Sequence, residues 1–471
     1  MNRRIRWSAL SDPGAANWSG SAVEIDGFPC PIGPEAEDGY FALVADPPCC
    51  GTCLPRDPAA RVEVFAPLGA PALGRPVRLA GTLVVLESDP AGWRFQLRDA
   101  RPAGQGPRTS AGGFTRRAML GAAPLVCLAA CVPAAATPEQ EATARQAIAG
   151  QATIDMHSHA GNLSGTRRVR ENLPFAPLAD PMRDGGMAIV CLAIVSDGPT
   201  HRLMPDRRIR PFREPDPGEL YTFGMQSFAR LHALAREQGM TIVTDGSAAA
   251  TARATAPAAI VAAEGADFLE GRPERVDECY DRWALRHLQL THYRVNELGD
   301  IQTEPPVHGG LTDIGAEVIR RCNARGVLVD VAHGTYALVK RAASVTTKPL
   351  VLSHTSLADD PGPHSRLISP DHARVIAETG GVVGLWPPVS RFADQAALAA
   401  GMARMVDTIG IDHVGLGTDM QGLTTASVVP DYRALPGLAA ALMARGFNRD
   451  EVAKLLGGNY LRSFAACCTR T

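Results

Sequence analysis

From Ala152 onward, short apolar runs alternate with stretches of helical periodicity, and this alternation constrains the fold more than any other feature of the chain. Apolar runs of strand length suit strands covered on both faces, and the helical stretches between them supply the crossovers that parallel pairs require. Eight strands are predicted, near 152–157, 187–195, 257–263, 286–291, 327–332, 349–353, 381–386 and 413–418. Helical patterns lie between them, including 223–238, 271–285, 312–325, 370–379 and 395–409. Eight such units in about 320 residues predict an α/β fold, a (β/α)8 TIM barrel. The Arg- and Pro-rich segment 197–222 is the largest insertion and is expected to form a loop over the barrel mouth.

In such a barrel the chemistry sits at the C-terminal ends of the strands. The first predicted strand ends in Asp155-Met156-His157-Ser158-His159, the third in Glu264-Gly265 and the fourth in Thr291-His292. The fifth ends in His333, the sixth in His354 and the eighth in Asp419, so six of the eight deliver a His, Glu or Asp to one face. A lone histidine at a strand end is more often a satisfied core residue than a ligand, but here His157, His159, Glu264, His333 and His354 converge. Alternate residues of a strand point the same way, so the rings of His157 and His159 can hold one metal together. Imidazole with carboxylate favours zinc or a similar divalent ion, and the two oxygens of a carboxylate can bridge a pair. All 12 histidines lie between His157 and His413, which confines histidine chemistry to this part of the chain.

The 471 residues leave room for more than a barrel, since domains average ~100–200 residues. Residues 1–105 are rich in Pro and Gly, with β-like runs at Arg61–Ala66, Val77–Leu86 and Trp93–Arg98. They predict a small β-rich module, an antiparallel barrel or sandwich, with no assigned function. Cys49, Cys50 and Cys53 sit close together, which without a second ligand pair reads equally as a metal site or as incidental thiols. The 11 cysteines are odd in number and unevenly spaced, so they define no disulfide framework. Hydrophobic residues at 45% support a globular chain, and 47 basic against 49 acidic residues give no general attraction to nucleic acid.

Residues 106–131 read as a linker and an export signal. Arg116-Arg117 resembles a twin-arginine (Tat) motif, and Leu128-Ala129-Ala130-Cys131 resembles a lipobox with Cys131 as the lipidated residue. The 12 apolar residues between them, Met119–Ala130, fall short of the ~20 that span a bilayer and suit a signal h-region. An alanine-rich buried helix is the alternative. About 110 residues precede the motif, so either two reading frames are fused, or the start lies downstream, or the first module stays cytoplasmic. Residues 132–150 follow as a tether leading into a helix, and 151–471 as the barrel. The expected location is the periplasmic side of a bacterial membrane, held by a lipid anchor.

Nine segments carry a resemblance: IDMHSH, AAEG, LQLTH, HGGLTDIGAEVIRRCNARGVLVDVAH, LVLSHTS, HSRLISPD, ETGGVV, IDHVGLGTDMQG and GGNYLRSF. In this order, from about 152 to 465, they resemble the membrane (renal-type) dipeptidase family, peptidase family M19. The resemblance implies a TIM barrel with two Zn2+ per chain that hydrolyses dipeptides through a hydroxide held between the metals. It implies His157 and His159 on one zinc, His333 and His354 on the second, and Glu264 bridging both. His292 would contact the scissile carbonyl, Arg366 the substrate carboxylate, and Asp419 the reacting amine or the attacking water. His364 and His413 lie in matched segments but read as structural, and His201, His232, His287, His308 and His372 receive no catalytic role. The partners expected are a dipeptide or similar small substrate, the membrane through Cys131, and a second copy of the chain.

Two positions depart from the family pattern. His159 stands where the family usually has an acidic ligand, which removes one negative charge and resembles the HxH of the wider amidohydrolases. Leu367 stands where asparagine commonly follows the arginine. Two other readings therefore compete: an amidohydrolase acting on another amide or modified peptide, and a non-catalytic lipoprotein that binds a peptide or metal in the same cleft.

Overall fold

The computed structural model of the chain describes residues 3–31, 40–46, 55, 57–66, 76–86, 93–103, 138–164, 173–204, 208–423 and 425–469. The signal-like segment with Cys131, and the group Cys49, Cys50 and Cys53, lie outside the described residues. The chain divides into two compact units, Met1–Ala135 with Thr424–Ala426, and Ala136–Leu423 with Ser427–Thr471.

The N-terminal unit holds six strands: β1 (Arg3–Ile5), β2 (Ala22–Pro31), β3 (Tyr40–Val44), β4 (Arg61–Phe65), β5 (Val77–Val85) and β6 (Phe95–Pro102). The sheet order is β1-β2-β3-β4-β6-β5, and β5 also pairs with β2, so five strands close into a small barrel with β1 added at one side. Alternate residues Val23 and Ile25 of β2, Phe41 and Leu43 of β3, and Val62 and Val64 of β4 fill its interior. The expected β-rich barrel is present, but β1–β2 and β4–β6 are parallel pairs, which residue alternation alone does not reveal.

The second unit is a parallel barrel. Its strands are β7 (Ile154–Ser158), β8 (Ile189–Val195), the hairpin β9 (His201–Leu203) and β10 (Ile209–Pro211), β11 (Thr241–Ile242), β12 (Ala258–Glu264), β13 (Leu285–Gln289), β14 (Leu328–Asp330), β15 (Leu350–Thr355), β16 (Val382–Leu385) and β17 (Val414–Leu416). Eight of them run in the spatial order β7-β8-β12-β13-β14-β15-β16-β17, and short β11 joins the edge of β12. The ring closes just beyond β7 and β17: the Asp419 amide donates to the His157 carbonyl at 2.9 Å, and the His159 amide to the Met420 carbonyl at 2.9 Å. This is the TIM barrel expected from the apolar runs. The expected loop after β8 contains the antiparallel hairpin β9–β10.

Local chemistry fixes the outer helices. Thr312 caps Asp313–Arg325 by accepting from the Gly315 amide, and Gly326, at φ 78°, ends that helix in the left-handed conformation. Ala316, Ile319 and Cys322, three residues apart, face the core from it. Ser369 and Asp394 cap the helices Pro370–Glu378 and Gln395–Ile409 in the same way as Thr312. Among the described residues no helix is long and apolar enough to cross a membrane.

One buried carboxylate clasps the closing strands. Asp155 of β7 accepts from the Thr418 amide at 2.8 Å, the Thr418 hydroxyl at 2.5 Å and the Tyr432 hydroxyl at 2.7 Å. Gly384 and Gly417 allow the neighbouring backbones to approach β15, since a Cβ at either would sit 1.8 Å from the Ser353 carbonyl oxygen. The clasp and these glycines set β7, β15 and β17, whose C-terminal ends lead to His157, His159, His354 and Asp419.

Candidate metal centre

Glu264, the last residue of β12, stands at the middle of the cluster and is 3% exposed. Its Oε1 lies 3.5 Å from His157 Nε2, 3.3 Å from His333 Nε2 and 3.4 Å from His354 Nε2. Its Oε2 lies 3.1 Å from His159 Nε2 and 3.2 Å from His292 Nε2. Two donor groups share this carboxylate: His157, His159, Glu264 and Asp419 form one, and Glu264, His333 and His354 the other, with donor atoms inside 4.8 Å in each. The structure thus brings together all five ligands predicted from the strand ends, and adds Asp419 to the first group.

The histidine tautomers show that these groups fit a cation. His159 Nδ1 lies 2.7 Å from the Ala193 carbonyl, and His333 Nδ1 lies 3.1 Å from the His292 carbonyl. A carbonyl only accepts, so both Nδ1 atoms carry protons and turn Nε2 into the centre. There His157 and His159 Nε2 face each other at 3.2 Å, and His333 and His354 Nε2 at 3.1 Å. Nitrogen donors set this close, with a carboxylate between, call for positive charge. Burial, with the nearby Arg366 charge, holds His333 well below its ordinary value, and burial with the His157 charge brings His354 to about 4, which favours the neutral imidazole that a metal needs. Burial also opposes charge on His159, yet the hydrogen bonds of Asp419 and Glu264 raise it to about 10. Glu264 is costly to bury, yet the charges of His292 and His157 hold it well below the usual carboxylate range.

Around the donors lie groups suited to a substrate. Arg366 donates from Nη1 to Gln302 Oε1 at 2.9 Å and from Nη2 to the His354 carbonyl at 3.3 Å, while its buried Nε has no hydrogen-bond partner among the described residues. Asp419 Oδ1 lies 3.5 Å from His159 Nε2; burial raises this carboxyl, but the hydrogen bond and charge of His159 bring it below its ordinary value. His333 at φ 67° and Asp419 at φ 48° both adopt the left-handed backbone that non-glycine residues rarely take, a sign of strain held at a site. A Cβ at Gly422 would fall 1.9 Å from Asp419 Oδ1 and 2.7 Å from His159 Cδ2, so a glycine keeps this side open.

Other residues were absent from the sequence prediction. Ser353 Oγ lies 2.8 Å from His354 Nδ1 and 3.4 Å from His157 Nδ1, and so touches ligands of both groups. Asp197 takes His292 Nδ1 at 2.7 Å, and His201 lies against the same carboxylate. Asp197 follows the end of β8, so the strand-end test that selected the other residues would also have reached it. Gln302 has no comparable signal, since its contact with Arg366 spans 64 residues. His287, given no catalytic role, lies within the barrel, between Asp330 at 3.1 Å and the Tyr460 hydroxyl at 2.9 Å.

An eight-stranded parallel barrel with imidazoles and carboxylates gathered at one mouth defines a metal-binding TIM barrel. Residues 179–469 match the membrane dipeptidase family, and the chain belongs to this family, peptidase family M19. The match begins after β7, so His157 and His159 precede it. Dipeptidase aclJ of Aspergillus oryzae is 34% identical over 194 residues, covering 39% of this chain and 45% of aclJ. The chain spans about half the length of the curated relatives it matches. The probable dipeptidase PvdM of Pseudomonas aeruginosa shares the fold with a TM-score of 0.58 at 17% identity, covering 71% of this chain and 100% of PvdM. A Rhodobacter sphaeroides metallopeptidase, solved with a phosphinate mimic of the dipeptide L-Ala-D-Ala, aligns with a TM-score of 0.57 at 21% identity, covering 67% of this chain and 99% of its own.

Proposed function

We propose that the chain is a zinc-dependent dipeptidase that holds two metals. The observation that carries this reading is the carboxylate of Glu264, which lies between both donor groups, Oε2 facing His159 and Oε1 facing His157, His333 and His354. His157, His159 and Asp419 would complete one site, and His333 and His354 the other. Bound zinc would polarise the scissile carbonyl and lower the pKa of the attacking water to ~7.

The chain's own side chains account for the remaining requirements. His292 faces a carboxylate with each ring nitrogen, Nδ1 to Asp197 Oδ1 and Nε2 to Glu264 Oε2, and in the doubly protonated form that two acceptors favour, Nε2–H would donate to an oxyanion as charge develops. Ionised Asp419 accepts a proton from the attacking water and returns it to the leaving amine. The unpartnered Nε of Arg366 is available to the free carboxylate of a dipeptide. Requiring a free amine and a free carboxylate at fixed distances would exclude longer peptides.

The test is hydrolysis by the zinc-loaded chain of L,L and L,D dipeptides, L-Ala-D-Ala among them, against the same compounds with acetylated amine or amidated carboxylate. Turnover of free dipeptides with loss on either blocking supports the reading. Equal turnover of blocked amides would favour a broader amidohydrolase, to which the HxH of His157 and His159 also conforms. Bound metal without turnover of any amide would favour a binding protein.

We further propose that Arg116-Arg117 and Cys131 direct export and lipid anchoring to the periplasmic side of a membrane. Cys131→Ala should then move the catalytic unit from the membrane fraction to the soluble fraction. Identical soluble fractionation of parent and variant would remove this reading.

A further inference from the structure

We propose that Asp197 is a positioning residue that holds the His292 ring in its working orientation. The inference rests on the dipeptidase reading for the role of His292, but on geometry for the role of Asp197. Asp197 follows β8 and is fully buried. Its Oδ1 lies 2.7 Å from His292 Nδ1, and its Oδ2 accepts the Tyr293 amide at 2.9 Å. His201, carried in by the hairpin after β8, brings its Nδ1 to 3.1 Å from the same Oδ1. This carboxylate thus ties together His292, its neighbour Tyr293 and the hairpin.

The ring it holds has a defined task. His292 is 5% exposed and packs edge-on against Tyr293, His201 and His333, with centroids 4.4, 5.2 and 4.7 Å away. Packing of this kind sets the plane of an imidazole but not which way it is turned, because the two flipped forms have nearly the same shape. The carboxylate makes that choice. Nδ1 donates to Asp197, which sends Nε2 to 3.2 Å from Glu264 Oε2. A flipped ring would set a carbon against the carboxylate and withdraw Nε2 from the cleft. The same three side chains, Asp197, His201 and His292, are close enough to hold a metal ion, but the 2.7 Å separation is that of a charge-assisted hydrogen bond.

The test uses the zinc-loaded full chain, with Asp197→Ala, Asp197→Asn, His292→Ala and the double variant Asp197→Ala/His292→Ala. Loss of an orienting partner costs about 10- to 100-fold in activity, so Asp197→Ala should lower kcat by about that factor, with KM within about twofold and metal content unchanged. Asp197→Asn still offers an oxygen to Nδ1–H and should recover part of the loss. The double variant should be no slower than His292→Ala, because Asp197 acts only through that ring.

A second readout needs no turnover. In nitrogen-15 histidine spectra, the Nδ1 proton resonance that disappears in His292→Ala should also shift or disappear in Asp197→Ala. A parent chain that turns over no dipeptide would defeat the proposed function, and these spectra would still decide the role of Asp197. Multiplicative losses in the double variant, an unchanged His292 resonance in Asp197→Ala, or a third metal ion lost on substitution would each overturn the inference.

Discussion

Replacing Asp155 with alanine should loosen the barrel at the seam where β7 meets β17. The carboxylate satisfies the Thr418 amide, the Thr418 hydroxyl and the Tyr432 hydroxyl, and lies 3.3 Å from the His157 amide. Tyr432 keeps a second partner in Ser158 Oγ at 3.1 Å, but the two Thr418 donors are left buried and unpaired. At ~1–3 kcal/mol for each orphaned donor, Asp155→Ala should cost about 2–6 kcal/mol. That is a large share of the ~5–15 kcal/mol that holds a typical domain. With a urea m-value of about 3 kcal/mol/M, the midpoint followed by helical circular dichroism should fall by about 0.7–2 M. Asp155→Asn keeps an oxygen for the Thr418 amide and should fall less. Because the seam leads to His157, His159 and Asp419, the first donor group should empty before the second. An Asp155→Ala midpoint within about 0.2 M of the parent would refute the clasp.

Three further outcomes follow from the site. His159→Ala should lose one metal per chain with its activity, whereas His159→Asp, which restores a negative ligand, should resist chelator longer than the parent; faster loss to chelator would contradict the charge argument. Burial and the neighbouring Asp197 raise Asp267 to about 7, so the folded chain keeps a proton that the unfolded chain releases near pH 4. Its contribution is full below pH 4 and declines as pH rises toward 7, so Asp267→Asn should be clearly more stabilising at pH 8.5 than at pH 5.5, as read from urea midpoints at both. Equal effects at the two pH values would deny the shift. Gly422→Ala drives a methyl group into Asp419 and His159, and should reduce both occupancy of the first donor group and turnover about 10-fold or more; full activity would show that neither side chain is held there.

Much of the barrel was legible because apolar runs such as Ala258–Ala263 are buried on both faces, so their strand character is written in composition as well as period. The candidate ligands were legible for a related reason: a TIM barrel places strand ends at one mouth, so residues far apart in sequence become neighbours once the strands are recognised. The partners that orient those ligands were less visible. Gln302 meets Arg366 through a loop, and the backbone carbonyls of Ala193 and His292 that set two histidine tautomers carry no side-chain signature. His201 illustrates the same limit, since its place against Asp197 depends on a hairpin that the Arg- and Pro-rich composition of 197–222 did not specify. In the N-terminal unit, alternation identified strands, but parallel pairing of β4 with β6 depends on how the sheet closes.

In the proposed dipeptidase, Glu264 would serve two metals at once. Metal analysis of the zinc-reconstituted parent, Glu264→Gln and His354→Ala, measured beside dipeptide turnover, tests this. The parent should hold two ions per chain, His354→Ala about one, and Glu264→Gln should lose occupancy at both positions together with activity. Two ions retained in Glu264→Gln, or dipeptide turnover that persists in the chelated parent, would contradict it.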